Sequence, residues 1–221
     1  MLKISRKNSV LQMSPKNPPV AYASSGDTVV FETFDCFSNE IRREDQLFSS
    51  VGWGSINPAT GPLYVNEAKA GDILRVEILD ILLDTQGVMT TAPKLGVLGD
   101  FIEAEKTKIV PVADGKAKFN DKIELELNPM IGVIGTAPET EDIPTGTPGE
   151  HGSNMDCKRI GKGSVVYLPV NVPGALLAMG DMHAVMGDGE IVLCGVEISG
   201  EITVKVDVIS GLFLPLPMVT Q

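Results

Sequence analysis

Residues 179–190 read MGDMHAVMGDGE and concentrate side chains that bind metal ions and transfer protons. Asp181, His183, Asp188 and Glu190 fall within this stretch, with glycines between them. Asp181 and His183 are two residues apart, so on a strand both side chains lie on the same face. A carboxylate oxygen beside an imidazole nitrogen suits zinc, manganese or iron better than calcium or magnesium. The spacing favours a metal site, and an acidic hairpin turn is the alternative.

Two further segments carry polar side chains in unusual surroundings. Residues 31–37 (FETFDCF) place Asp35 among aromatic residues and a cysteine, where burial of an unpaired carboxylate is costly. We expect Asp35 to bind the ion, or else to accept backbone N–H groups at a strand end. In residues 148–156 (PGEHGSNMD), Asn154 and Asp156 are two residues apart. They either face one site together or form an Asx turn.

The elements that must position these groups are β-strands, because apolar and polar residues alternate with period two. In residues 71–83, for example, Leu74, Val76 and Ile78 fall on one face. Strands are predicted in this way at residues 27–34, 71–83, 122–127, 164–170, 190–198 and 201–209. Ser199 and Gly200 are expected to join the last two strands as a hairpin.

No segment shows sustained helical periodicity, and 23 glycines and 15 prolines punctuate the chain. We therefore predict a mainly β protein with antiparallel β-sandwich or barrel parts. Residues 87–121 have broken patterning and are predicted to be a small α+β insertion. Residues 135–152 are rich in Pro, Gly, Thr and acid, which predicts a loop. A loop of this length in a compact domain is usually functional or disordered.

Length, charge and cysteine content exclude several classes of protein. The 221 residues form a single domain, 1–221, or two closely packed lobes, about 1–86 plus 155–221, and 87–154. The formal net charge of −11 repels nucleic acid and anionic membranes, so neither is an expected partner. No apolar run approaches the roughly 18–20 residues that span a bilayer. Three cysteines, an odd and sparse set, indicate reduced thiols and a cytoplasmic location.

Five stretches of the sequence resemble the acetamidase/formamidase family, and together they span nearly the whole chain. They are GDTVVFETFDCFSNEI (26–41), NPATGPLYVNEAKAGDILRVEILDI (57–81), IGVIGTAP (131–138), PGEHGSNMD (148–156) and GSVVYLPVNVPGALLAMGDMHAVMGDGEI (163–191). The resemblance implies a cytoplasmic hydrolase that releases ammonia from small neutral amides, with a β-rich fold and a metal-bearing site. The chain departs from the family pattern at Ser153, where glycine is usual, and at Met186, where glutamine is common.

Amide hydrolysis requires activated water, a stabilised oxyanion and a protonated leaving nitrogen. A bound metal ion lowers the pKa of water from 15.7 to about 7 and polarises the carbonyl. We expect a divalent ion, zinc first, with calcium or manganese as alternatives. The ligands assigned to it are His183 and Asp35 first, then Asp181 and Asp156.

Proton transfer is assigned to Glu190, as general base and then as acid to the leaving nitrogen. Glu190 is expected to open the strand 190–198, which would hold its carboxylate at the mouth of the site. Asn154 or loop N–H groups would bind the oxyanion. Asp188 is the other catalytic candidate, as an alternative base. We expect residues 31–37, 148–156 and 180–190 to meet in one pocket.

Two other functions are compatible with the sequence. A thiol amidase would use Cys157, which lies near His151, although His151 itself is expected to be a solvated loop residue. A non-catalytic β protein would use the same acids to bind a structural metal ion or a small molecule. The apolar tail from Phe213 to Met218 and the strand edges predict a homodimer or larger homo-oligomer.

Overall fold

A computed structural model describes residues 1–221 as nineteen strands and three short 3-10 helices. The strands are β1 Leu2–Ile4, β2 Ser9–Val10, β3 Gln12–Met13, β4 Ala21–Ala23, β5 Thr28–Thr33, β6 Ala59–Val65, β7 Ile73–Leu83, β8 Gln86–Thr91, β9 Lys106–Ala113, β10 Lys116–Lys118, β11 Glu124–Glu126, β12 Met130–Gly135, β13 Ile143–Pro144, β14 Gly152–Asn154, β15 Val165–Pro169, β16 Leu177–His183, β17 Glu197–Ile198, β18 Gly200–Ile209 and β19 Met218–Thr220. The 3-10 helices are Phe48–Ser50, Trp53–Ser55 and Gly99–Phe101. The helices are therefore far shorter than a membrane span.

The smaller of the two main sheets has six strands in the order β1-β5-β18-β7-β15-β19. Its centre is the antiparallel pair β7 and β18, in which every residue of β18 has a partner on β7. Alternation works here as the sequence predicts, because Leu74 and Val76 are buried while Arg75 points outward. Arg75 faces Asp207 across the pair, and its Nη1 lies 3.0 Å from Asp207 Oδ2. The ion pair covers the polar face of the sheet.

The larger sheet has eleven strands, with the path β11-β10-β9-β8-β17-β16-β12-β14 and with β6, β2 and β4 attached beside β16. β16 is its central strand, because β12 pairs with it on one side and β6 and β17 on the other. Every residue of β16 is buried. Its Asp181 and His183 are therefore held by neighbouring strands on both sides.

The two sheets share one core of 30 buried hydrophobic residues. This core includes residues of β7 and β18 from the smaller sheet and of β12 and β16 from the larger one, so the two sheets pack against a common interior. A second, separate cluster contains seven buried residues, which we call the aromatic cluster: Cys36, Phe37, Ile41, Phe48, Val88, Ala92 and Cys194.

The mainly β, antiparallel prediction is confirmed, and three details of it are wrong. The expected insertion at residues 87–121 contains strands and one 3-10 turn, with no α-helix, because β8 and β9 pair with each other as antiparallel strands of the larger sheet. The predicted strand 190–198 shrinks to Glu197–Ile198, and Glu190 lies in a loop. The hairpin at Ser199 is also absent, because β17 belongs to the larger sheet and β18 to the smaller one.

Candidate active site

A cavity of about 570 Å³ lies where the end of β16 meets several loops. Three of its lining segments are residues 36–37, 154–156 and 181–190, so the predicted meeting of three distant segments is confirmed. Their polar members are Asn154, Asp156, Asp181, His183 and Glu190, together with Glu197. No lysine or arginine side chain lines the cavity. The site is therefore an acidic pocket with one imidazole.

Asp181 occupies a left-handed backbone conformation in β16, with φ of 55°. It lies opposite Gly132 in the antiparallel pairing of β16 with β12. A Cβ at position 132 would be 2.6 Å from an oxygen of Asp181 and 2.6 Å from Asp156 Oδ1. Glycine at this position is thus what allows the two carboxylates to occupy the same side of the pocket.

His183 lies beside three carboxylates. Its Nε2 is 3.0 Å from Glu197 Oε1, 3.6 Å from Asp181 Oδ1 and 3.7 Å from Glu190 Oε1. Burial alone would lower the pKa of His183, but the charges of Glu197 and Asp181 raise it well above its usual value. An imidazole surrounded in this way is either protonated or shares its carboxylates with a cation.

Glu190 lies in a loop, and its side chain extends toward His183 and the neighbouring carboxylates. The N–H of Gly195 donates to Glu190 Oε1 at 2.7 Å and also to Glu197 Oε1 at 3.0 Å. One backbone group therefore fixes both carboxylates. Burial raises the pKa of Glu190 to about 7, with the charge of His183 opposing the shift. A carboxyl group with this pKa is suited to proton transfer near neutral pH.

Asn154 and Asp156 complete the pocket from the end of β14. Asn154 Oδ1 and Asp156 Oδ1 are both buried without hydrogen-bond partners. Burial, together with the charge of Asp181, raises the pKa of Asp156 to about 6. Buried polar atoms without partners are rare in folded proteins, so these two atoms indicate a ligand that the protein itself does not supply.

The donor set fits a divalent metal ion. Oxygen or nitrogen atoms of Asp156, His183 and Glu190 lie within 4.8 Å of one another. Ligands that bind one ion at about 2.0–2.2 Å are themselves separated by roughly 3–3.6 Å, close to the distances around His183 Nε2. A cation would also neutralise carboxylates that have no basic side chain beside them. Glu190 is thus placed where it could bind an ion as well as move a proton.

A second convergent group adjoins the first and involves two residues that the sequence did not single out. Cys36, Asp181 and Glu197 have donor atoms within 4.8 Å of one another, and all three are buried. Burial, followed by the charge of Glu197, raises the pKa of the Cys36 thiol well above its usual value. Glu197 is an isolated acid in the apolar run from Val192 to Ile198, and that isolation was the available signal.

Asp35 lies behind the cavity wall and does not line the cavity. Its Oδ1 accepts the backbone N–H groups of Phe37 at 3.0 Å and Asn39 at 2.7 Å. Burial raises its pKa to about 6, and Arg42, with Nη1 3.9 Å from Oδ2, acts in the opposite direction. This geometry matches the alternative expectation, in which Asp35 accepts N–H groups at the end of a strand.

Three other candidates lie outside the convergent groups. Asp188 is exposed and pairs with Lys158 at 2.7 Å, so it does not reach the cavity. Cys157 is half-buried against the main core and does not line the cavity either. His151 is buried and not solvated as expected, because the loop that carries it folds against β12.

Known proteins resemble this chain in both sequence and fold. The Acetamidase/Formamidase family matches residues 6–146 and 139–219. An acetamidase from Bacillus halodurans has the same fold, with a TM-score of 0.98 and 51% identity over all of this chain and 75% of its own. A predicted acetamidase/formamidase from Thermoanaerobacter tengcongensis gives a TM-score of 0.97 and 47% identity, covering all of this chain and 73% of its own.

A curated relative, the formamidase of Methylophilus methylotrophus, is 26% identical over 88% of this chain and 62% of its own length. The chain spans about two thirds or less of the length of the curated relatives it matches. The family match nevertheless covers nearly every residue, including all of the segments that form the acidic pocket. The chain therefore belongs to the acetamidase/formamidase family.

Proposed function

We propose that this protein is an amidase that hydrolyses the C–N bond of small linear amides, releasing ammonia and a carboxylate, and that it requires a divalent metal ion. The observation that carries the proposal is the convergence of Asp156, His183 and Glu190 within 4.8 Å at the end of an open cavity. Family membership supports the reaction class, since the relatives include proteins named formamidase and acetamidase.

His183 and Asp156 would hold the ion, with Asp181 within reach of both. The mixture of one nitrogen and several oxygens favours zinc, with manganese or calcium as alternatives. When bound, such an ion polarises the substrate carbonyl and makes water more acidic. The carboxylates then keep their charges at neutral pH, because the cation offsets the burial and the mutual repulsion that otherwise raise their pKa values.

Glu190 would take the proton from the attacking water and return it to the leaving nitrogen. The Gly195 N–H fixes the position of its Oε1, and burial shifts its pKa upward, which strengthens it as a proton acceptor. Proton transfer by a positioned carboxyl group typically contributes 10²–10⁴-fold to the rate. Glu190 therefore carries the largest single role assigned to a side chain.

Asn154 is better suited to the amide N–H group than to the oxyanion. Its Oδ1 is buried without a hydrogen-bond partner, so this atom is free to accept a hydrogen bond from a substrate. An oxygen accepts hydrogen bonds, and the NH₂ group of a primary amide offers two donors. We assign Asn154 to orientation of the leaving nitrogen, and leave the oxyanion to the bound ion.

The two alternative functions, a thiol amidase and a non-catalytic binding protein, are less well supported by the geometry. Cys157 lies outside the cavity, and the two cysteines that line it, Cys36 and Cys194, have pKa values raised by burial. A protonated, buried thiol is a poor nucleophile. A purely structural ion needs a closed donor set, whereas here the donors border an open cavity.

The decisive experiment combines metal analysis with an ammonia-release assay on formamide, acetamide and propionamide. Activity should fall with the metal content under chelation and return on adding zinc or manganese. Full activity in protein shown by elemental analysis to be metal-free would exclude the metal requirement. A metal-replete protein that releases no ammonia from any amide would favour the non-catalytic binding protein.

We also propose a homodimer or larger assembly and a cytoplasmic location. The exposed side chains of Leu212, Phe213 and Leu216 form an apolar surface that a second subunit would cover. The three cysteines are all free thiols, consistent with a reducing compartment. Light scattering that gives 23.5 kDa at micromolar concentration would exclude the assembly.

A further inference from the structure

One wall of the cavity is built from aromatic rings. The ring centroids of Phe37 and Phe48 are 6.1 Å apart, and those of Phe48 and Trp53 are 5.0 Å apart. Both pairs meet edge to face, with interplanar angles of 76°. All three residues line the cavity, and Trp53 keeps 60% of its surface exposed. The row of rings thus runs from the buried aromatic cluster to an exposed indole.

Ile56 and Leu193 extend this wall on the cavity side of the aromatic cluster. The acids and His183 described above form the other part of the lining. The cavity therefore has two different regions, one that offers donor atoms for an ion and one that offers only apolar surface. A ligand that used the first region alone would leave the second in contact with water.

The volume of the cavity exceeds what a two-carbon amide requires. At about 570 Å³ it falls within the range of roughly 300–1,000 Å³ that is typical of pockets for drug-sized ligands. Formamide or acetamide would occupy only a small part of it. The remaining space lies beside apolar rings, where an apolar group gains free energy by leaving water.

The charge of the lining restricts what this group can be. Asp156, Asp181, Glu190 and Glu197 line the cavity, and the only basic side chain among its lining residues is His183, which lies among these acids. Beside the aromatic wall, a second carboxylate on the substrate would find no lysine or arginine to pair with, and burying it unpaired would be costly. The apolar region therefore suits an uncharged group.

We propose, on the basis of the function proposed above, that the preferred substrates are neutral primary amides whose carbonyl carbon bears an apolar group of about six to eight carbons, such as an arylacetamide. The amide would lie against the acids and His183, and the ring would contact Phe48 and Trp53. Trp53 is then a specificity-determining residue for this reaction.

The first test compares kcat/KM for acetamide, phenylacetamide and 4-carboxyphenylacetamide. Phenylacetamide should exceed acetamide by about tenfold or more, because an added apolar group in a fitted pocket is worth at least that factor. The carboxylated analogue should fall well below phenylacetamide. Comparable values for acetamide and phenylacetamide in an active enzyme would overturn the inference and leave the proposed function intact.

The second test changes the wall itself. Trp53→Ala should lower the preference for phenylacetamide over acetamide by about five- to tenfold, and Trp53→Phe should restore most of it. Tyr22→Ala is the matched control. Tyr22 is 61% exposed and contacts one aromatic neighbour, Tyr64, at 5.5 Å, but it lies outside the cavity. An equal effect of both alanine variants on the preference would contradict the role of Trp53.

A binding measurement separates this inference from the proposed reaction. Trp53 is the only tryptophan of the chain, so its fluorescence reports on the wall. Phenylacetone, which has a methyl ketone in place of the amide, should give a saturable change, and acetone only a linear one. Saturable binding to a protein that hydrolyses neither amide would support the apolar ligand and reject the amidase. A linear response to phenylacetone would overturn the inference.

Discussion

Glu197 lies directly opposite His183 on the neighbouring antiparallel strand, and its Oε1 is 3.0 Å from His183 Nε2. Both residues are almost completely buried. The strand pairing itself therefore brings an acid and a base together, without a loop to adjust them. Any ion bound by His183 has this carboxylate as its neighbour.

Replacement of either residue of this pair should impair metal binding. His183→Ala removes the only nitrogen donor of the cavity, so we expect loss of the ion after dialysis. Glu197→Gln keeps the shape but removes the charge that faces Nε2, and it should weaken metal affinity by about 10–100-fold. Elemental analysis and competition with a chelator measure both effects. Full metal content in His183→Ala would show that the donor set is assigned incorrectly.

Glu190→Gln should lower kcat by about 10²-fold or more while KM stays nearly constant, because it removes the proton carrier but keeps an oxygen for the Gly195 N–H. Asp188→Asn is the matched control, an acid-to-amide change in the same loop at an exposed side chain. It should change kcat less than about twofold. If Glu190→Gln stripped the metal, Glu190 would be a ligand and not the base.

Gly132→Ala should abolish most of the activity without a general loss of fold. The new methyl group would lie 2.6 Å from carboxylate oxygens of Asp156 and Asp181, so both must move. We expect a fall in kcat/KM of about 10²-fold, the scale that a displacement of about 1 Å causes. Gly187→Ala, where the added carbon meets nothing within 4 Å, is the control. Equal activities of the two variants would show that the carboxylate positions are not critical.

Asp35→Asn should alter the pH dependence of stability. The pKa of Asp35 is raised in the folded state from 3.8 to about 6, so its contribution is fully present below about pH 4 and is lost as pH rises through 6. The amide of the variant does not titrate, so the variant does not lose this stability as the pH rises. Relative to wild type, it should therefore gain about 2 kcal/mol of unfolding free energy between pH 4 and pH 7. Urea unfolding of metal-free protein at both pH values measures this, and a pH-independent difference would contradict it.

Much of the scaffold could be predicted from the sequence. The alternation in residues 71–83 and 201–209 describes β7 and β18, because both strands have one buried face and one polar face. The glycine-flanked segments with Asn154, Asp156 and His183 also meet as predicted. Alternation is a local pattern, and it predicts a strand correctly where one face of the strand is buried along its length and the other is not.

The errors arise where burial depends on a distant partner. Glu197 follows the apolar run 192–196 and looks like the exposed side of a strand, yet pairing with β16 turns it toward the site. Glu190 has no strand partner, so its segment stays a loop despite its apolar neighbours. Asp35 was assigned to the ion because its surroundings are apolar, but its carboxylate lies behind the cavity wall, where Oδ1 accepts backbone N–H groups two and four residues later.

Ser199 is the only residue between β17 of the larger sheet and β18 of the smaller one. Its backbone oxygen accepts the N–H of Asp84 at 2.9 Å, just beyond the end of β7. Glu197 thus lies three positions before β18, which with β7 forms the longest strand pair of the protein, and local opening of its segment would disturb both sheets. Amide hydrogen exchange at Glu197 should accordingly require global unfolding, and heat should abolish catalysis and melt the β-structure in a single transition.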